Sequence, residues 1–361
     1  MPRVIGIDPG TVSIDLCGLA DGRVFLDRTL PTRDALRDPA AFVSMLEAEA
    51  PLDLIAGPSG YGLPLVAARD LTETDLRLAY LAAAGDPGGI GGLGSLMRAL
   101  ARSPLPVVLT PGVVHLPSVP AYRKVNRVDM GTADKVCAVV LAVRELSDRR
   151  RCPAHEVSFI LLELGGAFTA ALAVERGRIV DGLGGTSGAI GVRAAGALDG
   201  EVACLAGTVT KDLLFHGGAA AIADMPDAPA VALARGDTPR ARLAWEAYLE
   251  SATKAVAALT VTMRGVPDVV LSGRLAGGPE MRAQMRIRLA HVVPDADVHV
   301  LTGFASTAKQ ASQGAALLAD GLAGGMSAPL VDVLGLREAS GTVLDHLHVI
   351  SPGDARRRLG I

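Results

Sequence analysis

The feature that most restricts the architecture of this chain is an internal repeat. The opening stretch VIGIDPGTVSIDLCGLADGRVFLD, Val4 to Asp27, is echoed 155 residues later by FILLELGGAFTAALAVERGRIVDG, beginning at Phe159. Without a gap, Asp8 falls on Glu163, Gly10 on Gly165, Gly22 on Gly177, Arg23 on Arg178 and Val24 on Ile179. Both copies read as an apolar strand ending in a carboxylate, a glycine turn, a returning apolar strand, a second turn at a Gly-Arg pair, and a third strand. Two registered glycine turns and an acidic strand end point to duplication within an α/β protein. The length of 361 residues agrees, since it allows two domains of roughly 150 residues each.

Asp8 is placed at a strand end where the backbone N–H groups of Gly10, Thr11 and Val12, with the hydroxyls of Thr11 and Ser13, can surround an anion. The simpler alternative is a hairpin whose Asp bonds its own turn. Two such hairpins facing each other across a cleft would hold a polyphosphate and its divalent cation. Half of the residues are hydrophobic and few are aromatic, which suits closely packed helices and sheets. No uninterrupted apolar run reaches the ~18 residues of a membrane span. A strand begins almost at once, so a signal peptide is not expected and the protein is read as cytoplasmic. Cys17, Cys137, Cys152 and Cys204 have no paired spacing, which indicates neither zinc nor disulfides; three of the four are expected in apolar surroundings. A net charge of −3 lacks the basic excess of a nucleic-acid binder. Arg149–Arg151 and Arg356–Arg358 read as a solvated linker and tail.

Helical composition at residues 34–49 and 95–102 and a strand at Pro106–Thr110 complete a first α/β domain. GDPGGIGGLGS, Gly85 to Ser95, is read as a surface loop, with a lid over a ligand as the alternative. In YRKVNRVDMGTADKVCAVVLAVREL, Val136, Val139, Val140 and Val143 form a helical stripe. Thr132 is expected to cap that helix, and Asp134 to favour its dipole. Asp129 stands just before the cap, near Arg123, Lys124 and Arg127, at the expected domain junction. Farther on, PDVVLSGRLAGGPEMRAQMRIRLAHV predicts a strand, a loop and a helix with Pro279 in its first turn. The loop's Ser272, Gly273, Gly277 and Gly278 suit either a flat ligand such as adenine or a plain strand–helix turn. DVHVLTGF is a further strand. In the last helix, Ala308, Ala311, Ala315 and Ala319 permit close packing before Gly321 ends it.

This order of motifs resembles the superfamily of acetate and sugar kinases, heat-shock ATPases and actin. GIDPGT looks like its first phosphate motif, RVDMGTADK its connecting helix, ELGGAFT its second phosphate motif and VVLSGRLAGG its adenosine motif. NRVDMGTADK together with LELGGAFTAALAVERGRIVDGLGGTSG resembles more closely an uncharacterised archaeal and bacterial family known as predicted butyrate kinases. The resemblance spans about residues 3–325. It implies an α/β fold of two ribonuclease-H-like (actin-like ATPase) domains with a nucleotide cleft between them, at 1–125 and 126–325, followed by a C-terminal extension at 326–361. The chain departs from acetate and butyrate kinases in having Asp8 where they have Asn, and in lacking their His-rich segments.

The resemblance implies ATP and Mg²⁺ as cofactors. Asp8 and Glu163 would hold the metal through waters. Gly10, Thr11, Ser13, Gly165, Gly166 and Thr169 would bind phosphates, with the amides of Gly10, Thr11, Gly165 and Gly166 as the cradle. Ser272, Gly273, Arg274, Gly277 and Gly278 would bind the adenosine. A hydroxyl acceptor needs a general base, Asp129 or secondarily Asp134. A carboxylate acceptor needs cations instead, drawn from Arg127, Lys124 and Arg193. Thr186 and Ser187 either line the acceptor pocket or form a simple loop. The expected activity is a kinase acting on a small acceptor, a short-chain carboxylate such as butyrate, with a sugar or other hydroxyl kinase and a non-kinase switch ATPase as alternatives. Holliday-junction resolvases share a GIDPG start, but the second hairpin, the length and the acidic charge oppose a nuclease. No nucleic-acid or membrane partner is expected, and a homodimer is left open.

Overall fold

The computed structural model describes residues 1–58, 60–83, 92–226, 228 and 230–361. The glycine segment expected as a loop lies outside the described residues as far as residue 91, and Leu93 to Ser95 open the helix Leu93–Arg102.

The chain forms two compact units, one of Met1–Val128, Thr132–Val157 and Thr302–Ile361, the other of Asp129–Gly131 and Ser158–Leu301. These units cut the chain differently from the boundaries expected at 125 and 325. The connecting helix Ala133–Arg150 belongs to the first unit, and so does everything after Leu301. The segment read as a C-terminal extension is part of the first core: Val343, Leu344 and Ala355 pack with Ile5, Ile14, Leu16 and Leu46. Covering those side chains stabilises by about 1.5–3 kcal/mol for each large one, enough to draw a distant segment back.

The first unit contains β1 (Arg3–Pro9), β2 (Ser13–Ala20), β3 (Arg23–Pro31), β4 (Leu54–Pro58), β5 (Val66–Ala67) and β6 (Val107–Thr110), in the sheet order β3-β2-β1-β4-β6-β5. The second contains β7 (Phe159–Leu164), β8 (Thr169–Glu175), β9 (Arg178–Leu183), β10 (Asp268–Ser272) and β11 (Asp297–Val300), in the order β11-β10-β7-β8-β9. Apart from the two-residue β5, the sheets match: three antiparallel strands, then two parallel ones.

The duplication extends to the backbone. Asp8 faces Asp15 across β1 and β2, and Glu163 faces Ala170 across β7 and β8, so the register repeats with the sequence. A β-bulge between Gly18 and Leu19 recurs between Ala173 and Val174. The second turns repeat too: Asp21 and Gly22 have φ of 53° and 72°, Arg176 and Gly177 of 52° and 73°. Two successive left-handed residues suit the twist of a tight hairpin.

Helix Gln310–Leu322 lies against β1 and against helix Ala133–Arg150. A Cβ on Gly6 would come within 2.1 Å of the Ser312 carbonyl oxygen, and one on Gly314 within 1.8 Å of that of Cys137. The expected close packing is therefore present, but glycines make the closest approaches, and the helix runs through Gly321 to Leu322. In the second unit, helix Pro239–Thr260 covers the sheet with Tyr248, Leu249 and Val256.

Three smaller expectations change. Thr132 occupies the N-cap of its helix, but its hydroxyl bonds the Asp134 carboxylate instead of a backbone N–H. Two cysteines, Cys17 and Cys137, are buried; Cys152 is half-buried and Cys204 exposed. Arg149 and Arg150 end one helix and Arg356–Arg358 lie in the last turn of another, Pro352–Leu359, where positive charge complements the helix dipole. Among the described residues, no helix is long and apolar enough to cross a membrane.

Candidate active site

In the first unit, β1 delivers Asp8 to the hairpin turn with 7% of its surface exposed. Among the described residues, no group donates a hydrogen bond to its carboxylate. Burial pushes the Asp8 carboxyl up to about 7; Asp134 adds to the rise, while Lys309 and Lys135 oppose it. Burial acts on Asp134 in the same direction, but the Lys135 ammonium and the Thr132 hydroxyl hold that carboxyl below the usual range. Asp134, expected to be structural or a secondary base, is thus close enough to Asp8 for their charges to interact. Two buried carboxylates near enough to interact, one of them paired with Lys135, offer hard oxygen donors of the kind a hydrated Mg²⁺ takes.

The turn itself differs from the expected cradle. The Gly10 N–H donates to the carbonyls of Ser13 at 2.9 Å and Asp8 at 3.1 Å, so the turn consumes it. The corresponding Gly165 N–H donates to the Phe168 carbonyl at 3.0 Å. Among the described residues, the N–H groups of Thr11, Val12, Gly166 and Ala167 meet no protein acceptor, which leaves them for an anion. Thr11 and Val12 are exposed at the tip.

Sequence reasoning missed two residues here. Asp15, on β2, is 1% exposed and accepts from the hydroxyls of Ser13 at 2.9 Å and Thr29 at 2.6 Å. Lys309, at the N-cap of helix Gln310–Leu322, reaches Asp15 at 2.7 Å and also bonds Ser13. One signal was available: Asp15 is the lone charge within an apolar strand, and the repeat pairs it with Ala170. Nothing near Lys309 in sequence indicates a hairpin almost 300 residues earlier.

In the second unit, the loop after β10 folds onto the second hairpin. The Leu275 N–H donates to the Leu164 carbonyl at 3.0 Å. Gly273 has φ of 87°, and a Cβ there would lie 2.6 Å from the same oxygen, so glycine is required. Ser272 donates to the half-buried Glu163 at 3.5 Å, and the Arg274 side chain passes Gly166, 3.7 Å from where a Cβ would be. Glu163, Gly165, Gly166, Ser272, Gly273 and Arg274 therefore converge, while Gly277 and Gly278 complete the loop and Gly277 is exposed. Thr169 is fully buried, its hydroxyl 3.4 Å from that of Tyr248, and points away from the turn into the core.

Asp129 also lies in the second unit. Its carboxylate accepts from the N–H of Gly131 at 3.2 Å and from the N–H and hydroxyl of Thr186 at 2.9 and 3.0 Å. The Ser187 hydroxyl bonds the Asp129 carbonyl. A Cβ on Gly184 would overlap the carboxylate at 1.8 Å. The structure thus joins Asp129, Thr186 and Ser187. Lys124 is buried, bonds the Leu116 carbonyl at 2.9 Å, and is lowered in pKa by burial. Arg127, in the first unit, and Arg193, in the second, are exposed.

The architecture is the two-domain actin-like ATPase fold, with a ribonuclease-H-like sheet in each unit. The chain is similar in structure to a propionate kinase from Francisella tularensis subsp. tularensis SCHU S4 (14% identity, 87% of this chain and 99% of that one, TM-score 0.63). It is likewise similar to an acetate kinase from Porphyromonas gingivalis (13% identity, 87% and 98%, TM-score 0.62). A candidate N-acetylmannosamine kinase from Listeria monocytogenes follows at 12% identity, 87% and 97% coverage and a TM-score of 0.52. By sequence, the chain belongs to the family described as protein of unknown function, DUF1464, whose model matches residues 6–349. No curated protein matches it.

Proposed function

We propose that this chain is an ATP- and Mg²⁺-dependent kinase that transfers the γ-phosphoryl group to a small acceptor, a short-chain carboxylate such as butyrate. The observation that carries the reading is the duplicated hairpin with an acidic strand end, on a fold shared with propionate and acetate kinases. Phosphoryl transfer needs chiefly positioning and charge neutralisation. The open N–H groups at Thr11, Val12, Gly166 and Ala167 hold phosphate oxygens, and the loop from Ser272 to Gly278 receives the adenosine. Asp8 with Asp134, both in the first unit, would be the oxygen donors for Mg²⁺, which when bound would neutralise charge on the transferred group.

Asp129 is held in place by the loop from Gly184 to Ser187. Its carboxylate is held by one donor on Oδ1 and two on Oδ2, which leaves an acceptor site on Oδ1, so a hydroxyl acceptor with Asp129 as base is the second reading. A carboxylate is itself the nucleophile and requires only cations, for which the exposed Arg127 and Arg193 are candidates.

Calorimetry with ATP·Mg²⁺, followed by a screen of short carboxylates and sugars, tests the reading. Binding of ATP and phosphorylation of a carboxylate are expected; no heat at millimolar ATP would overturn it. Asp129→Asn separates the acceptors: a hydroxyl kinase loses about 10² to 10⁴ in turnover with its base, while a carboxylate kinase keeps its chemistry.

A further inference from the structure

The seven backbone N–H groups from Thr302 to Ala308 are all accepted by three side chains. Glu145 takes Thr302 and Gly303, Gln313 takes Phe304 and Ala305, and Asp27 takes Ser306, Thr307 and Ala308. A run of amides that could bind an anion is thereby satisfied internally, and the segment is fixed along its length. What it presents is the next residue, Lys309, at the N-cap of a helix packed on β1.

The Lys309 ammonium lies beside the first hairpin: a Cβ built on Gly10 would be 3.2 Å from it. Of its three protons, two are engaged by Asp15 and Ser13. One-third of the side chain remains exposed, next to a turn whose Thr11 and Val12 N–H groups are open. Asp15 keeps the hydrogen bonds from Ser13 and Thr29 whether or not the ammonium is shared, so the carboxylate stays satisfied when Lys309 turns a proton toward another anion. In the second hairpin, Ala170 stands where Asp15 does.

We propose, resting on the kinase reading above, that Lys309 is a direct ligand of the nucleotide's terminal phosphates, with Asp15 holding its ammonium at the turn before the nucleotide arrives. Lys309 thereby supplies positive charge at the first hairpin without a metal, at the place where the transferred group gathers negative charge.

The test is titration of AMP-PNP with Mg²⁺, and of adenosine alone, into the full chain. Lys309→Met should weaken AMP-PNP binding about tenfold to a hundredfold, the range for a hydrogen bond to a charged group, and leave adenosine binding within about twofold. Lys309→Arg should recover most of the loss. Because Lys309→Met strands a buried carboxylate, the double variant Asp15→Asn/Lys309→Met serves as a neutral version expected to melt near wild type and show the same selective loss. Wild-type AMP-PNP affinity in the double variant, or equal weakening of adenosine, overturns the assignment while the kinase reading stands. If the wild-type protein binds neither probe, the kinase reading fails first and the assignment falls with it.

Discussion

The two hairpins share a backbone and differ in chemistry. Register, bulge and both turns repeat from the first copy to the second. The side chains around them do not. The first has Asp8 in a buried, charged setting with Asp134, Asp15 and Lys309; the second has Glu163 half-buried beside Ser272, with the loop after β10 folded onto the turn and Arg274 passing Gly166. A duplicated frame preserves what strand pairing and turn geometry demand, whereas residues that only face solvent or ligand are free to diverge. On the proposed kinase reading, the charge of phosphoryl transfer would fall to the first hairpin and nucleoside recognition to the second.

The largest test of that division is Asp8→Asn against Glu163→Gln. Turnover should fall about a hundredfold or more for Asp8→Asn, on the scale of losing one preorganised charge, and less for Glu163→Gln; equal losses in steady-state assays would abolish the asymmetry. The same Asp8 variant has a stability signature in the nucleotide-free protein. Burial pushes its carboxyl up to about 7 in the folded chain from the ordinary 3.8, so the native state holds the proton more tightly. Stability from this group is full below 3.8 and falls as pH rises toward 7. Melting curves at pH 5 and 8 should therefore show Asp8→Asn gaining on wild type at the higher pH.

Glycine substitutions come next in size. Gly273→Ala forces a left-handed alanine against the Leu164 carbonyl and should cost about 1–3 kcal/mol in urea unfolding. Gly165→Ala should destabilise more than Gly10→Ala, since their Cβ atoms would meet the turn carbonyls at 2.6 and 2.9 Å; the reverse order would mean that the turns are less alike than their registers. The smallest effect is at the second turn. Arg176 occupies a left-handed position that Asp21 fills in the first copy, so Arg176→Asn should raise stability by a few tenths of a kcal/mol, readable as a small rise in Tm.

Local pattern carried much of this fold. Apolar strands punctuated by Asp-Pro-Gly and Asp-Gly could be read from neighbours in sequence, and the repeat supplied both hairpins and the strand-end carboxylates. The loop from Ser272 to Gly278 was legible as a turn of small residues, though its contact with Leu164 was not. What escaped was long range. Asp129–Gly131 leave the first unit to pair beside Gly182 and Gly184, and the chain after Leu301 returns to cover β1. Neither move has a local signal, because burial rewards the contact and not the path to it. Lys309 escaped for that reason, and the consumed amides of Gly10 and Gly165 because a motif does not reveal which N–H its own turn uses.

The glycine contact between β1 and helix Gln310–Leu322 bears on how the protein is made. As the chain leaves the ribosome, β1 emerges long before the helix that seals Gly6, which follows only after the whole of Ser158–Leu301. The second unit, nearly continuous in sequence, has all its strands in hand while the first still waits with one face of the central strand of its sheet uncovered. Vectorial synthesis therefore reverses the order of the sequence: the second unit can be finished before the first, and a ribosome stalled ahead of Gln310 holds a chain in which the Gly6 face of β1 is bare while Ile5 and Ile7 are already covered from the other side.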